Sequence, residues 1–133
     1  MKISDATNIG IPRINEPLLG TNPMAKGQID IGELDVKRAL LISMKTDEQR
    51  FLLDDDLTTA GREGNAGIFL DDPSVSRRHA EFTRIGTKFY VEDVGSLNGT
   101  YVNEQLQEAR YPLNNGDEVQ IGRFRLLFVQ KQQ

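Results

Sequence analysis

Arg78-His79-Ala80-Glu81-Phe82-Thr83-Arg84 and Lys88-Phe89-Tyr90-Val91-Glu92-Asp93-Val94, joined by Ile85-Gly86-Thr87, decide how this chain is read. Ala80 and Phe82 alternate with polar neighbours in the first run, and Phe89 and Val91 do so in the second. A period of two belongs to a strand with one buried face, and Gly86 supplies the turn between two such strands. The pair reads as a hairpin. Working outward, Ala39–Met44 and Phe51–Leu53 flank Thr46-Asp47-Glu48-Gln49 as another hairpin, and Thr58-Thr59 falls in a strand just before Gly61. Ile68-Phe69-Leu70 is short and apolar. Gly99–Asn103, Glu118–Ile121 and Phe124–Val129 follow, with Asn114-Asn115-Gly116-Asp117 and Gly122-Arg123 as turns. There is no helical stripe of useful length and no internal repeat. Many short strands at close spacing predict an all-β sandwich.

The 133 residues suit one domain with a tail rather than two cores. Every Phe and Tyr lies at or after Phe51, whereas Pro12, Pro17 and Pro23 sit near the start among scattered glycines, with no sustained period. Such a stretch buries too little surface to offset its ordering entropy. Residues 1–36 are therefore expected to form a flexible tail and residues 37–133 the folded domain. A net charge of −4, from 16 Lys+Arg against 20 Asp+Glu, argues against a nucleic-acid binder with a basic stripe. Zero cysteines exclude disulfides and thiol chemistry, and one histidine leaves no set of zinc ligands, so no metal or cofactor is expected. No apolar run approaches a membrane span, and the start lacks a signal-peptide core. The expectation is a cytoplasmic monomer.

The distinctive residues lie in three loops: Gly61-Arg62, Ser74-Val75-Ser76-Arg77-Arg78-His79-Ala80 and Gly95-Ser96-Leu97-Asn98-Gly99-Thr100. Arginine supplies a planar donor fork, serine a short hydroxyl donor, and asparagine can hold a peptide backbone. Together they suit a phosphate dianion carried on an extended peptide. A hydrolase fits poorly: Ser76 and His79 are three apart, no G-x-S-x-G elbow surrounds the serine, and strand geometry would set the two on opposite faces. The same geometry would send Arg77 and Arg78 to opposite faces. Asp54-Asp55-Asp56 lacks the glycine and terminal glutamate of a calcium loop. Enzyme activity is not expected.

In order and spacing, Gly61-Arg62, Val75–Ala80, Gly95–Asn103 and Asn115-Gly116-Asp117…Ile121-Gly122 resemble the forkhead-associated (FHA) domain signature over roughly residues 37–130. The resemblance implies a sandwich of about eleven strands that binds phosphothreonine peptides on loops at one end. Carried over, Arg62 steadies peptide and phosphate, Ser76 donates to a phosphate oxygen, and Arg77 is the neighbouring base. Asn98 grips the peptide main chain, with Ser96 and Leu97 in the same contact loop. Gly61, His79, Gly99 and Thr100 fit positions that shape the loops. Phe51-Leu52-Leu53-Asp54, Ile68-Phe69-Leu70-Asp71-Asp72 and Asp93–Thr100 resemble the small actinobacterial single-FHA regulators of 2-oxoglutarate and glutamate metabolism, the oxoglutarate dehydrogenase inhibitor and glycogen accumulation regulator group. This likeness implies a Ser/Thr protein kinase and a metabolic enzyme as partners, and a phosphorylated tail that docks in its own FHA site. Tails of that group carry two adjacent threonines after an acidic residue; here Thr7 and Thr21 stand singly. Thr21 is the preferred phosphorylation candidate because Leu18-Leu19 and Met24 offer apolar flanks. A different class of function stays open: a phosphate-independent scaffold that docks a partner on a sandwich face.

Overall fold

A computed structural model describes residues 34–45 and 49–131. The tail expected over 1–36 therefore lies, up to residue 33, outside the described residues. Eleven strands follow one another: β1 Ala39–Ser43, β2 Arg50–Leu53, β3 Leu57–Gly61, β4 Ile68–Phe69, β5 Ala80–Ile85, β6 Lys88–Asp93, β7 Thr100–Val102, β8 Gln105–Leu106, β9 Tyr111–Pro112, β10 Glu118–Ile121 and β11 Phe124–Gln130. They form a six-stranded sheet, β2-β1-β11-β10-β7-β8, and a five-stranded sheet, β4-β3-β5-β6-β9. All neighbours are antiparallel except β3 and β4. The all-β sandwich expected from the hairpin pattern is what the chain forms.

The period-two residues face one another across the sandwich. Leu41, Val119, Ile121, Leu126 and Phe128 come from one sheet, and Ala60, Ile68, Phe82, Phe89 and Val91 from the other. Phe89 and Phe128 meet at 5.7 Å between ring centroids, tilted by 59°, and so tie the two layers. Leu34 and Val36 fall on the tail side of the expected boundary, yet Leu34 is buried with Leu40 and Ile42.

Strand direction sets which loops meet. β3, β6 and β10 finish, and β5, β7 and β11 begin, at one end of the sandwich. The segments 62–67, 70–79, 94–99 and 122–123 consequently cluster there. β5 starts at Ala80 rather than at Arg78. Residues 72–79 instead form a turn, closed by Val75 N–H to Asp72 O at 2.9 Å and by Ser76 N–H to His79 Nδ1 at 3.0 Å. Arg77 and Arg78 are thus both exposed, and the opposite-face expectation fails because neither is in a strand.

Candidate functional site

The end of β3 and the turn before β5 are zipped together by backbone. Arg62 N–H donates to Ser76 O at 3.0 Å, Glu63 N–H to Arg77 O at 3.3 Å, and His79 N–H to Ala60 O at 3.0 Å. The approach is so close that a Cβ on Gly61 would stand 2.1 Å from Arg77 O, so the glycine is a steric requirement. Arg62 Nε donates to Val75 O at 2.9 Å, which fixes the stem of the side chain. The terminal amino groups of this guanidinium have no partner among the described residues.

His79 joins this turn to the loop after β6. It is fully buried. Its Nδ1 accepts from Ser76 N–H at 3.0 Å, so the ring proton belongs on Nε2, which lies 2.9 Å from Gly99 O and donates to it. Two further bonds cross between the loops: Leu97 N–H donates to Ser76 Oγ at 3.0 Å, and Asn98 Nδ2 donates to Ser74 O at 2.9 Å. Ser76 and His79 therefore do meet, contrary to the strand-based expectation, but through the Ser76 amide. With both nitrogens engaged, the ring is no base for the Ser76 hydroxyl. That hydroxyl accepts from Leu97 and keeps its own proton to donate.

Asp93, the last residue of β6, organises the third loop. Its Oδ1 accepts from Gly95 N–H at 2.8 Å and Ser96 N–H at 2.9 Å, while Oδ2 accepts from the Ser96 hydroxyl and from Thr100 Oγ1 at 2.8 Å. Ser96 Oγ in turn accepts from Gly99 N–H at 2.8 Å. Burial pushes the Asp93 carboxyl up, but the Ser96 hydroxyl and amide, Thr100 and Gly95 outweigh it and hold the group below the ordinary carboxylate range. Gly99 takes φ +88°, where a glycine is favoured. Asp72 is likewise lowered, first by the Ser74 hydroxyl and then by the Ser74 amide; Arg123 also contributes. Ser74 Oγ accepts from Arg123 N–H at 2.9 Å, which brings the β10–β11 turn to the same end.

The structure places the sequence-predicted residues differently. Arg62, Ser76, Leu97 and Asn98 are linked through the turns and loops just described, with Leu97 at 89% exposure and hence outside any core. Arg77 and Arg78 stand exposed beside them, and neither they nor Arg62 is ion-paired among the described residues. Ser96, placed in the contact loop by resemblance, directs its hydroxyl inward to Asp93. Gly61, His79, Gly99 and Thr100 sit within the contacts that shape these loops. Thr7 and Thr21 lie outside the described residues. Sequence reasoning named Asp93, Ser74 and Arg123 within its motifs and turns but gave none of them a role. For Asp93 the signal was present as an aspartate with a serine three residues on, an Asx-type pattern that satisfies successive N–H groups.

The sequence model described as FHA domain matches residues 58–122. Over 80 residues the chain is 60% identical to the oxoglutarate dehydrogenase inhibitor of Corynebacterium jeikeium, covering 60% of this chain and 55% of that protein. It thus spans about half the length of that relative. With the oxoglutarate dehydrogenase inhibitor of Corynebacterium glutamicum, identity is 48% over 116 residues, covering 86% of this chain and 78% of that one. Among solved structures, Mycobacterium tuberculosis EmbR in complex with a low affinity phosphopeptide superposes with a TM-score of 0.68 at 28% identity, over 72% of this chain and 25% of that one. A structure described as a functional analysis of phosphothreonine-dependent FHA domain interactions gives 0.68 at 26% identity, over 72% and 99%. Sequence and architecture agree, and the chain belongs to the FHA domain family.

Proposed function

We propose that this chain is a non-catalytic phosphothreonine-peptide reader. Arg62 and Ser76 hold the phosphate, Arg77 adds positive charge beside it, and Asn98 with the Ser96-Leu97 loop holds the peptide main chain. The observation that carries this reading is the state of the donors at the loop end. Ser76 Oγ already accepts from Leu97 and has its proton to give, and Arg62 is fixed at Nε with its terminal amino groups unengaged among the described residues. Fixed donors aimed at an anion need little reorganisation on binding, and hydrogen bonds to phosphate are roughly twice as strong as neutral ones. The engaged ring of His79 supports a binding rather than a catalytic role.

The relatives named oxoglutarate dehydrogenase inhibitor support a regulatory role toward a metabolic enzyme of 2-oxoglutarate or glutamate metabolism. A Ser/Thr protein kinase would write the mark, which fits a cytoplasmic setting, and a monomer suffices for one site. The chain's own tail, phosphorylated at Thr21 or else at Thr7, is the competing ligand. Tethering gives an effective concentration near the millimolar range, enough to displace a dilute partner. Affinity capture from lysate, with and without phosphatase treatment, tests the reading. Partners should be lost after phosphatase; capture that is indifferent to it contradicts a phosphate-dependent reader.

One observation favours a second reading. Leu57 (52%), Phe69 (43%) and Ile85 (54%) are exposed on the outer side of the five-stranded sheet and could dock a partner without phosphate. A partner retained by Arg62→Ala would support that scaffold role.

A further inference from the structure

The loop end holds one cation more than a single phosphate needs. A phosphothreonine carries about 1.5 to 2 negative charges near neutral pH. Arg62 and Arg77 supply two positive charges, and Ser76 and Asn98 add none. Arg78 is left over. It is exposed and stands ahead of β5, in the turn that ends at His79. Its guanidinium enters none of the ion pairs among the described residues. Arg77 and Arg78 line a cleft of about 120 Å³ together with Thr59, Glu63 and Glu81. Neither glutamate pairs with either arginine, so the cleft keeps open a donor fork suited to a carboxylate.

Asn98 and Arg78 lie on opposite flanks of the phosphate donors. Asn98 lines a groove with Tyr101 of β7 and Gln120 of β10, on the side of the six-stranded sheet. The Arg78 cleft is lined by Thr59 of β3 and Glu81 of β5, on the side of the five-stranded sheet. Ser76 stands at the seam between them: its carbonyl accepts from Arg62 N–H and its hydroxyl from Leu97 N–H. An extended peptide with its phosphate at Ser76 and its main chain on Asn98 therefore carries its other flank across Arg78. Side chains two apart in such a peptide share one face. Two residues of peptide span about 7 Å, which is also the most that two residues of backbone can put between Ser76 and Arg78.

The geometry points to Arg78 as a specificity-determining residue that selects an Asp or Glu two residues from the phosphothreonine, on the flank leading away from Asn98. This rests on the phosphothreonine reading above and adds to it the chemical class of one flanking residue. A planar guanidinium takes a carboxylate through two parallel hydrogen bonds, which the neutral amide of Asn or Gln cannot reproduce. The pair faces solvent, so the selection is a several-fold preference rather than an absolute requirement. Glu63 and Glu81 repel a carboxylate placed elsewhere in the cleft, which confines the selection to that one position.

Four phosphothreonine peptides, alike but for one residue, test this on the full, unphosphorylated chain. One pair carries Asp or Asn two residues before the phosphothreonine, and the other carries them two residues after. Calorimetric titration should show Asp favoured over Asn about three- to fivefold in one pair, with equality in the other. Arg78→Gln should bring the favoured ratio to about one, whereas Arg77→Gln should weaken all four peptides and leave the ratio standing. Equal affinities within both pairs, the same preference in both, or a preference that survives Arg78→Gln would overturn the assignment of Arg78. Failure of all four phosphorylated peptides to bind would refute the phosphothreonine reading itself, and the selection with it.

Discussion

At the end where β3, β6 and β10 finish, Arg62, Arg77 and Arg78 have no ion pair among the described residues, and the Ser76 hydroxyl has a proton to give. At the opposite end the polar groups are engaged with one another. Arg84 binds Lys37 O, Asp54 O and the Asp56 carboxylate. Asn103 bonds Asp117 and Glu118, Asn115 accepts from Gln130 N–H, and Asn114 N–H donates to Asp117. Both ends use Asn, Asp and Gly to close their turns, so turn chemistry alone does not mark a site. What distinguishes the loop end is the donors that its internal network leaves over.

The largest expected difference between the ends is steric. Gly61→Ala puts a Cβ 2.1 Å from a backbone oxygen that cannot turn aside. A loss on the order of 3 kcal/mol is expected in urea unfolding, along with loss of phosphopeptide binding. At the far end, Gly86→Ala meets nothing within 4 Å and bears only its φ of +66°, so about 1 kcal/mol is expected with binding intact. Equal losses at the two positions would break the comparison.

Asp93→Asn comes next, at about 2 kcal/mol near neutral pH, because the amide cannot accept from all four donors. The sign of its pH dependence follows from the lowered pKa. The carboxylate stabilises the fold above its unfolded-state value, and that contribution is lost as pH falls through the still lower folded-state value. The gap between wild type and Asp93→Asn in unfolding free energy should be flat at neutral pH and shrink on acidification below about pH 4. A gap independent of pH down to strongly acid solution would remove Asp93 as the loop organiser.

The smallest effects separate binding from stability. Ser76→Ala should weaken phosphopeptide binding about tenfold, while Asn115→Ala should cost about 1 kcal/mol of stability and leave affinity unchanged. Calorimetric titration beside thermal melts of both variants sharpens the comparison. Weaker binding in Asn115→Ala would show that the two ends are coupled.

Alternation made β5, β6 and β11 legible, because Phe82, Phe89, Val91, Leu126 and Phe128 each needed a buried face. β8 and β9 were not legible: strands of two residues have no period, and Pro112 at a sheet edge contributes no ladder donor. Arg62, Ser76 and Asn98 were singled out by their order along the chain, whereas the bonds that join Ser76 to His79 and Asn98 to Ser74 are tertiary. Arg78 was misread as the start of a strand because a basic residue ahead of an alternating apolar run resembles one; β5 begins only at Ala80. The Val75 N–H bond to Asp72 O and the His79 ring bond to Ser76 N–H show that the segment before it turns. Leu34 looked like tail because its apolar partners, Leu40 and Ile42, lie on the far side of a turn.

One titration bears most directly on the claim that donors left over at the loop end read phosphate. Phosphothreonine peptides selected from a library, and their unphosphorylated counterparts, would be titrated into the wild type and Arg62→Ala. Wild type should bind only the phosphorylated form, and Arg62→Ala should bind it roughly 10- to 100-fold more weakly, with a melting temperature close to the parent. Equal affinity of parent and Arg62→Ala for the phosphorylated peptide would contradict the assignment of the site.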